Sequence, residues 1–256
     1  MFAHRGGCAI GPENTLAAFD RGMATGVDGL ELDVHLSADG IPVVIHDASL
    51  DRTTSGTGPV AARTADELAR VDAAYWFGDG HRFPDRGQGI GVPTLREVLR
   101  RYADVRIIIE MKVDTAEMAT AVTAVVREAD AVERVCLAGF GRRCLIAARA
   151  HLPEAASSAS APEVRLALYQ SWVGWPLGAV PFGGYQVPET AGRTRVVSPR
   201  FIRHAHRAGR KVQVWTVDDE PDMWRLLSWG VDALISNCPE VAVRTRDQYR
   251  EKLRGR

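Results

Sequence analysis

Glu31 and Asp33 in ELDVH, and Glu110 and Lys112 in IIIEMK, are each separated by a single residue. On a β-strand that spacing sends both members of a pair out of one face. Both pairs sit in or directly after apolar runs. In a parallel sheet covered on both sides, such runs leave no solvated face for the charges. Glu31, Asp33 and Glu110 together are hard oxygen donors without a thiolate, a set that favours Mg²⁺ or Ca²⁺ over zinc. His4 and His46 lie at the ends of strand-like runs, and two imidazoles that titrate near neutrality can serve one reaction as base and acid. Arg5 follows His4, and Lys112 is one of only three lysines in an arginine-rich chain. These two cations suit a phosphate oxygen, although Glu110 and Lys112 could instead simply pair with each other. The chemistry implied is metal-assisted cleavage of a phosphate ester.

These groups need a scaffold that brings strand ends together. Strand-like runs occupy Phe2–Arg5, Gly29–Val34, Val105–Lys112, Val135–Phe140, Val164–Tyr169, Gly184–Val187, Val212–Val217 and Ala233–Ser236. Helical patterns cover Asn14–Thr25, Thr94–Tyr102, Ala116–Glu128, Arg142–His151, Pro199–Ala208, Pro221–Ser228 and Pro239–Arg246. The alternation predicts an α/β fold, a (β/α)8 TIM barrel with functional groups at the carboxyl ends of its strands. A doubly wound open sheet is the alternative. Residues 47–91 depart from the repeat and read as a small insertion after the second strand, with one short helix around Thr64–Val71. The whole chain, 1–256, reads as one domain.

The 256 residues carry 32 basic and 32 acidic side chains. A zero formal charge offers no overall field to recruit nucleic acid or an anionic membrane, so anion binding must be local. The four cysteines (Cys8, Cys136, Cys144, Cys238) show no metal-type spacing and read as reduced thiols. No apolar run is long enough for a membrane span and no signal pattern is present. A cytoplasmic protein without stable membrane insertion is expected; the sequence sets no oligomeric state.

The ordered series HRG, PENT, ELDVHLSADGIPVVIHD, LDRTTSGTG, VPTLREVL, IEMK, VWTVD and GVDALISNCPE resembles the glycerophosphodiester phosphodiesterase family, over nearly the whole chain. The resemblance implies a TIM barrel that hydrolyses glycerophosphodiesters to sn-glycerol 3-phosphate and an alcohol, as a phosphoric diester hydrolase acting on a small-molecule substrate. It implies His4 and His46 as the acid–base pair, and Glu31, Asp33 and Glu110 as ligands of one divalent metal ion. It further implies Arg5 and Lys112 on phosphate and Trp215 beside the glycerol. Glu13 has two readings, one near the metal and one orienting Arg5. Gly139 and Asn237 depart from the family pattern and bear on substrate preference or local hydrogen bonding. The insertion is expected to set the choice of alcohol. A lysophospholipase D-like phosphodiesterase on the same barrel, or a barrel that binds glycerophosphodiesters without turnover, are the alternatives.

Overall fold

The computed structural model describes residues 1–255. In chain order the elements are β1 Phe2–His4, α1 Leu16–Ala24, β2 Gly29–Leu36, β3 Pro42–Val44, α2 Ala65–Leu68, α3 Leu95–Arg101, β4 Arg106–Met111, α4 Ala116–Glu128, β5 Val135–Ala138 and α5 Arg142–His151. They continue with β6 Ala156–Ser157, α6 Ala161–Val173, β7 Gly184–Pro188, β8 Thr190–Ala191, β9 Thr194–Arg195, α7 Pro199–Arg207, β10 Lys211–Trp215, α8 Glu220–Trp229, β11 Ala233–Ser236 and α9 Pro239–Arg254.

Eight of the described strands run parallel in the order β6-β5-β4-β2-β1-β11-β10-β7. The seam between β6 and β7 is drawn together by a parallel bridge from Ser158 to Gly184. Ala159 N–H donates to Gly184 O and Gly183 N–H to Ser157 O, each at 2.9 Å. The result is a nearly closed TIM barrel, with α1 and α3 to α9 following its strands.

The barrel's two-layer logic is written into β2, GLELDVHL. Leu30, Leu32 and Val34 join the large core between strands and helices, whereas Glu31, Asp33 and His35 alternate with them on the lumen side. Next door, Ile107 and Ile109 of β4 join the same outer core. Each such side chain contributes roughly 1.5–3 kcal/mol by leaving water. The lumen holds only a small apolar plug of Phe2, Ile108, Ala138, Ala233 and Ile235, with Cys136 and Trp215 packed against it. Polar groups therefore occupy the rest of the carboxyl end.

One strand expectation fails. Val164–Tyr169 lies inside α6, and the barrel strand in this region is β6. Apolar residues on nearly all sides of α6 erase the helical period that would have betrayed it. The helix is nevertheless well started: Ser160 N–H and Oγ both donate to Glu163 Oε2 at 2.7 Å in a capping box. With α6 restored, eight helices accompany the eight strands.

The segment after β2 first returns as β3, antiparallel to β2 with Val34 opposite Val44. Beyond it, residues 47–91 form α2 and loops that pack a small core of their own: Leu50, Val60, Ala65, Leu68 and Ala73 against Val43, Ile45 and Val92. Among the described residues no helix is long and apolar enough to cross a membrane.

Candidate active site

Strand register assembles the acidic cluster. His4 at the end of β1 lies beside Glu31, and Asp33 lies beside Glu110 of β4. One carboxylate oxygen from each of Glu31, Asp33 and Glu110 can be chosen so that all three lie within 4.8 Å of one another. Burial pushes the Glu31 carboxyl well above the usual range, and repulsion from Asp33 and Glu110 adds to it. Its hydrogen bond comes from the Arg5 backbone N–H at 3.1 Å. Among the described residues no lysine or arginine side chain pairs with Glu31. Burial also raises Glu110, with repulsion from Asp33 second, and Lys112 only partly offsets this. Asp33 behaves oppositely. Burial would raise it, but Lys112, Arg5 and Asn14 together hold it below the usual range. Three converging carboxylates with incompletely compensated charge fit a hard divalent cation.

The cations stand on the acids. Lys112 Nζ lies 2.8 Å from Glu110 Oε1 and 3.3 Å from Asp33 Oδ1. Arg5 Nη1 donates to Glu13 Oε1 at 2.9 Å, while its Nε lies 3.2 Å from Asp33 Oδ2 without hydrogen-bond geometry. Glu13 also receives both Arg52 Nη atoms at 2.8 Å, so it orients Arg5 and stands outside the acidic cluster. Arg52 Nε continues to Asp47 Oδ2, and Asp47 Oδ1 meets His46 Nδ1, each at 2.5 Å. A charge-alternating chain thus runs His46–Asp47–Arg52–Glu13–Arg5. The Arg52 hydrogen bond holds Asp47 far below the usual carboxylate range, against burial and with help from His46. An ionised carboxylate only accepts, so His46 Nδ1 carries a hydrogen. The His46 backbone is pinned as well: Ile45 N–H donates to Asp33 O at 3.0 Å, and His35 Nε2 lies 3.1 Å from His46 O.

His4 has a different support. Its Nδ1 lies 2.6 Å from Asn237 Oδ1, just past β11. Asn237 Nδ2 donates to Asp218 Oδ2 at 2.8 Å, which fixes the amide with its oxygen toward His4. Asn237 N–H and Ser236 Oγ both donate to Asp218 Oδ1, at 2.8 and 3.0 Å. His4 Nδ1 therefore carries the hydrogen, and Nε2, 3.8 Å from Glu31 Oε2, keeps its lone pair toward the site. Burial lowers the His4 pKa, Arg5 lowers it further, and the Asn237 hydrogen bond opposes them.

The turn after His4 explains its glycines. Arg5, Gly6 and Gly7 all have positive φ, 51°, 87° and 94°. A Cβ on Gly6 would meet Phe19 at 2.8 Å, and one on Gly7 would meet Pro239 at 2.8 Å. These glycines serve a tight, packed turn rather than open space for a ligand. Asn14, also at positive φ, holds Asp33 from two sides through Nδ2 to Oδ2 at 2.9 Å and Asp33 N–H to Oδ1 at 3.2 Å. Thr15 caps α1.

His4, Arg5, Glu31, His46, Glu110, Lys112 and Trp215 all line one cavity of about 460 Å³. Asp33 lies beneath this wall and Glu13 behind it. Opposite the charged wall stand Phe140, Val164, Leu168, Val187, Val196 and Trp215. The Phe140 and Trp215 rings meet edge to face, centroids 5.8 Å apart. No residue of 47–91 lines the cavity, so the insertion reaches it only through Asp47 and Arg52. Gly139 lies in the lining, where a Cβ would come within 3.2 Å of Cys144 Sγ. The α6 wall carries no motif; Asn14, Arg52 and Asp218 lay in the PENT, LDRTT and VWTVD motifs without an assigned part.

The sequence model of the glycerophosphoryl diester phosphodiesterase family matches residues 4–241. A glycerophosphodiester phosphodiesterase of Caldanaerobacter subterraneus subsp. tengcongensis is 32% identical over 250 residues, 95% of this chain and 96% of the relative. A crystal structure of a glycerophosphodiester phosphodiesterase from Agrobacterium tumefaciens is similar with a TM-score of 0.78 and 29% identity, covering 95% of this chain and 98% of that one. An Oleispira antarctica phosphodiesterase, solved in complex with the product sn-glycerol-3-phosphate, gives a TM-score of 0.77 at 28% identity, covering 96% of each chain. The chain belongs to the glycerophosphoryl diester phosphodiesterase family, a family of phosphoric diester hydrolases.

Proposed function

We propose that the chain, as one barrel domain over residues 1–256, hydrolyses glycerophosphodiesters to sn-glycerol 3-phosphate and an alcohol by two-histidine acid–base catalysis. The observation that carries this reading is the meeting of His4, His46, Arg5 and Lys112 around Glu31, Asp33 and Glu110 in one cavity. The product held by the Oleispira relative supports the same substrate class. A cytoplasmic location accords with the four free thiols.

Glu31, Asp33 and Glu110 would hold one Mg²⁺ or Ca²⁺, which when bound supplies Lewis-acid polarisation of the phosphate. His4 takes the proton of the nucleophile, a water or the neighbouring glycerol hydroxyl, because its Nε2 lone pair faces the site while Asn237 occupies Nδ1. His46 gives a proton to the leaving alcohol. Its Nδ1 rests on an ionised Asp47, whereas the Nδ1 of His4 rests on a neutral amide. Arg5 and Lys112 hold the phosphate oxygens. The backing of Arg5 by Glu13 keeps the guanidinium in place before substrate arrives. Trp215 lines the glycerol side.

Glycerol 3-phosphate release from a panel of glycerophosphodiesters, with Mg²⁺ or Ca²⁺ and then with chelator, tests the reading. Release that chelation abolishes is expected. No release with either metal would leave a binding barrel in its place.

A further inference from the structure

Arg165 is the last charged residue before Glu189. The uncharged run between them starts in the second turn of α6 and leaves much of its length in solvent. Leu166, Tyr169, Trp172 and Val173 recur as a stripe along one side of the helix, 59, 61, 49 and 59% exposed. Gly174 ends α6 in a left-handed turn, and Trp175 just beyond it is 67% exposed. Charged residues ordinarily occupy the outer stripe of a barrel helix, and contiguous exposed apolar surface marks a contact site.

α7 packs beside α6 and presents the opposite chemistry. Phe201, Ile202 and Ala205 are buried, while Arg200, Arg203 and Arg207 lie in solvent. Their spacing of three and four residues puts all three guanidinium groups on one side of the helix. None of the three pairs with a carboxylate among the described residues, because Glu189 is taken by Arg225 and Asp232 by His206 and Lys211. The chain holds no other acid between Glu189 and Asp218. In a protein of zero formal charge, this face concentrates uncompensated cations locally.

Both helices follow barrel strands, so both run from the end that carries the cavity to the end that does not. Trp172, Val173 and Trp175 close α6 at that far end, and Arg203 and Arg207 lie in the carboxyl-terminal half of α7. Aromatic rings that settle at headgroup depth, beside arginines that pair with lipid phosphates, are the two halves of a peripheral membrane contact. A second copy of the chain docked here would bring the same arginines and no free carboxylate to meet them, so like charges oppose self-association on this face.

We propose that the α6–α7 face at the far end of the barrel docks on an anionic lipid bilayer, with Tyr169, Trp172 and Trp175 at headgroup depth and Arg203 and Arg207 on lipid phosphates. Docking is peripheral, since no described helix is long and apolar enough to cross a membrane. The cavity, at the other end of the barrel, stays outside the contact.

Flotation of the full chain with vesicles of equimolar phosphatidylglycerol and phosphatidylcholine tests this. Binding to these vesicles, and much weaker binding to phosphatidylcholine alone, is expected, and it should fall as salt screens the arginines. Arg203→Gln combined with Arg207→Gln should weaken binding about thirtyfold. Trp175→Ser, at the most exposed of these positions and so with little folding risk, should weaken it about tenfold. Thermal melting of both variants should match wild type, which separates lost docking from lost fold. Absence of binding at low salt, equal binding to both kinds of vesicle, or binding that neither variant weakens would overturn the membrane contact. So would a dimer in sedimentation that Trp175→Ser abolishes, because it would give the face to a second copy instead.

Discussion

The charged and apolar walls of the cavity differ in what holds them in place. The functional groups of the charged wall are fixed by directional polar contacts. Asp33 has Asn14, Lys112 and Arg5; His46 has Asp47 at its ring and His35 at its carbonyl; His4 has Asn237, itself locked by Asp218. The apolar wall is held by area burial alone at most positions, and its hairpin, β8 and β9, is exposed throughout. Directional bonds preorganise charge for a reaction, while non-directional packing tolerates variation in the bound group. The first wall should therefore break sharply and the second should retune gradually.

The largest effects belong to the histidines. His46→Ala should lower kcat by roughly 10²–10⁴-fold, and His4→Ala likewise. Full wild-type turnover in either variant would remove that residue from the proton path. Asn237→Leu should cost less, roughly ten- to a hundredfold in kcat, since it frees the His4 ring to rotate and change tautomer without removing it. KM should change little. An equal rise in KM with unchanged kcat would show that Asn237 serves ground-state binding instead.

Much of the charged wall is readable from one dimension because strand period and register do the work. A two-residue spacing inside an apolar run has few placements, and it fixes Glu31, Asp33, Glu110 and Lys112 together. The support of His4 is not readable in that way. Asn237 lies 233 positions away, and only the pairing of Ala3 with Ser236 across β1 and β11 brings it to the ring. The apolar wall is hidden for a different reason. β6 is two residues long, and α6 lacks the polar face that marks a surface helix, so a helix reads as a strand. The missing polar face is itself the signal that points to the α6 stripe. The insertion misled by its position: it rises beside the site, yet it contributes the bonding of Arg52 rather than any of the lining.

Glu31 separates the walls in stability as well as in rate. Its folded pKa is raised, so above the usual carboxylate range its charge opposes folding. In chelator, Glu31→Gln should therefore melt above wild type. The gain follows the conversion of about 2–4 °C per kcal/mol for chains approaching this size. In saturating Mg²⁺ or Ca²⁺ the order should reverse, because only the wild type gains the full binding energy of the ion. Calorimetry under both conditions decides it. A variant that melts below wild type in chelator as well would mean that Glu31 is not strained by its neighbours.

The smallest effect lies behind the apolar wall. Arg149 donates to both oxygens of Glu163 at 2.9 and 3.1 Å and to Ser158 O at 2.8 Å, tying the start of α6 to the seam of the barrel. Burial pushes the Glu163 carboxyl up, but hydrogen bonds from Arg149 and Ser160 outweigh it and hold the pKa below its ordinary 4.5. A depressed carboxylate adds stability that is complete above the unfolded pKa and is lost as pH falls through the folded one. Glu163→Gln should thus lower stability near neutrality by on the order of 1 kcal/mol, since the pair is mostly screened from solvent. The deficit should shrink as pH drops below about 4.5, because the wild type then loses the same charge. Denaturant melts of both proteins across that range measure the difference directly, and a deficit that stays constant with pH would assign the loss to the capping geometry of α6 rather than to its charge.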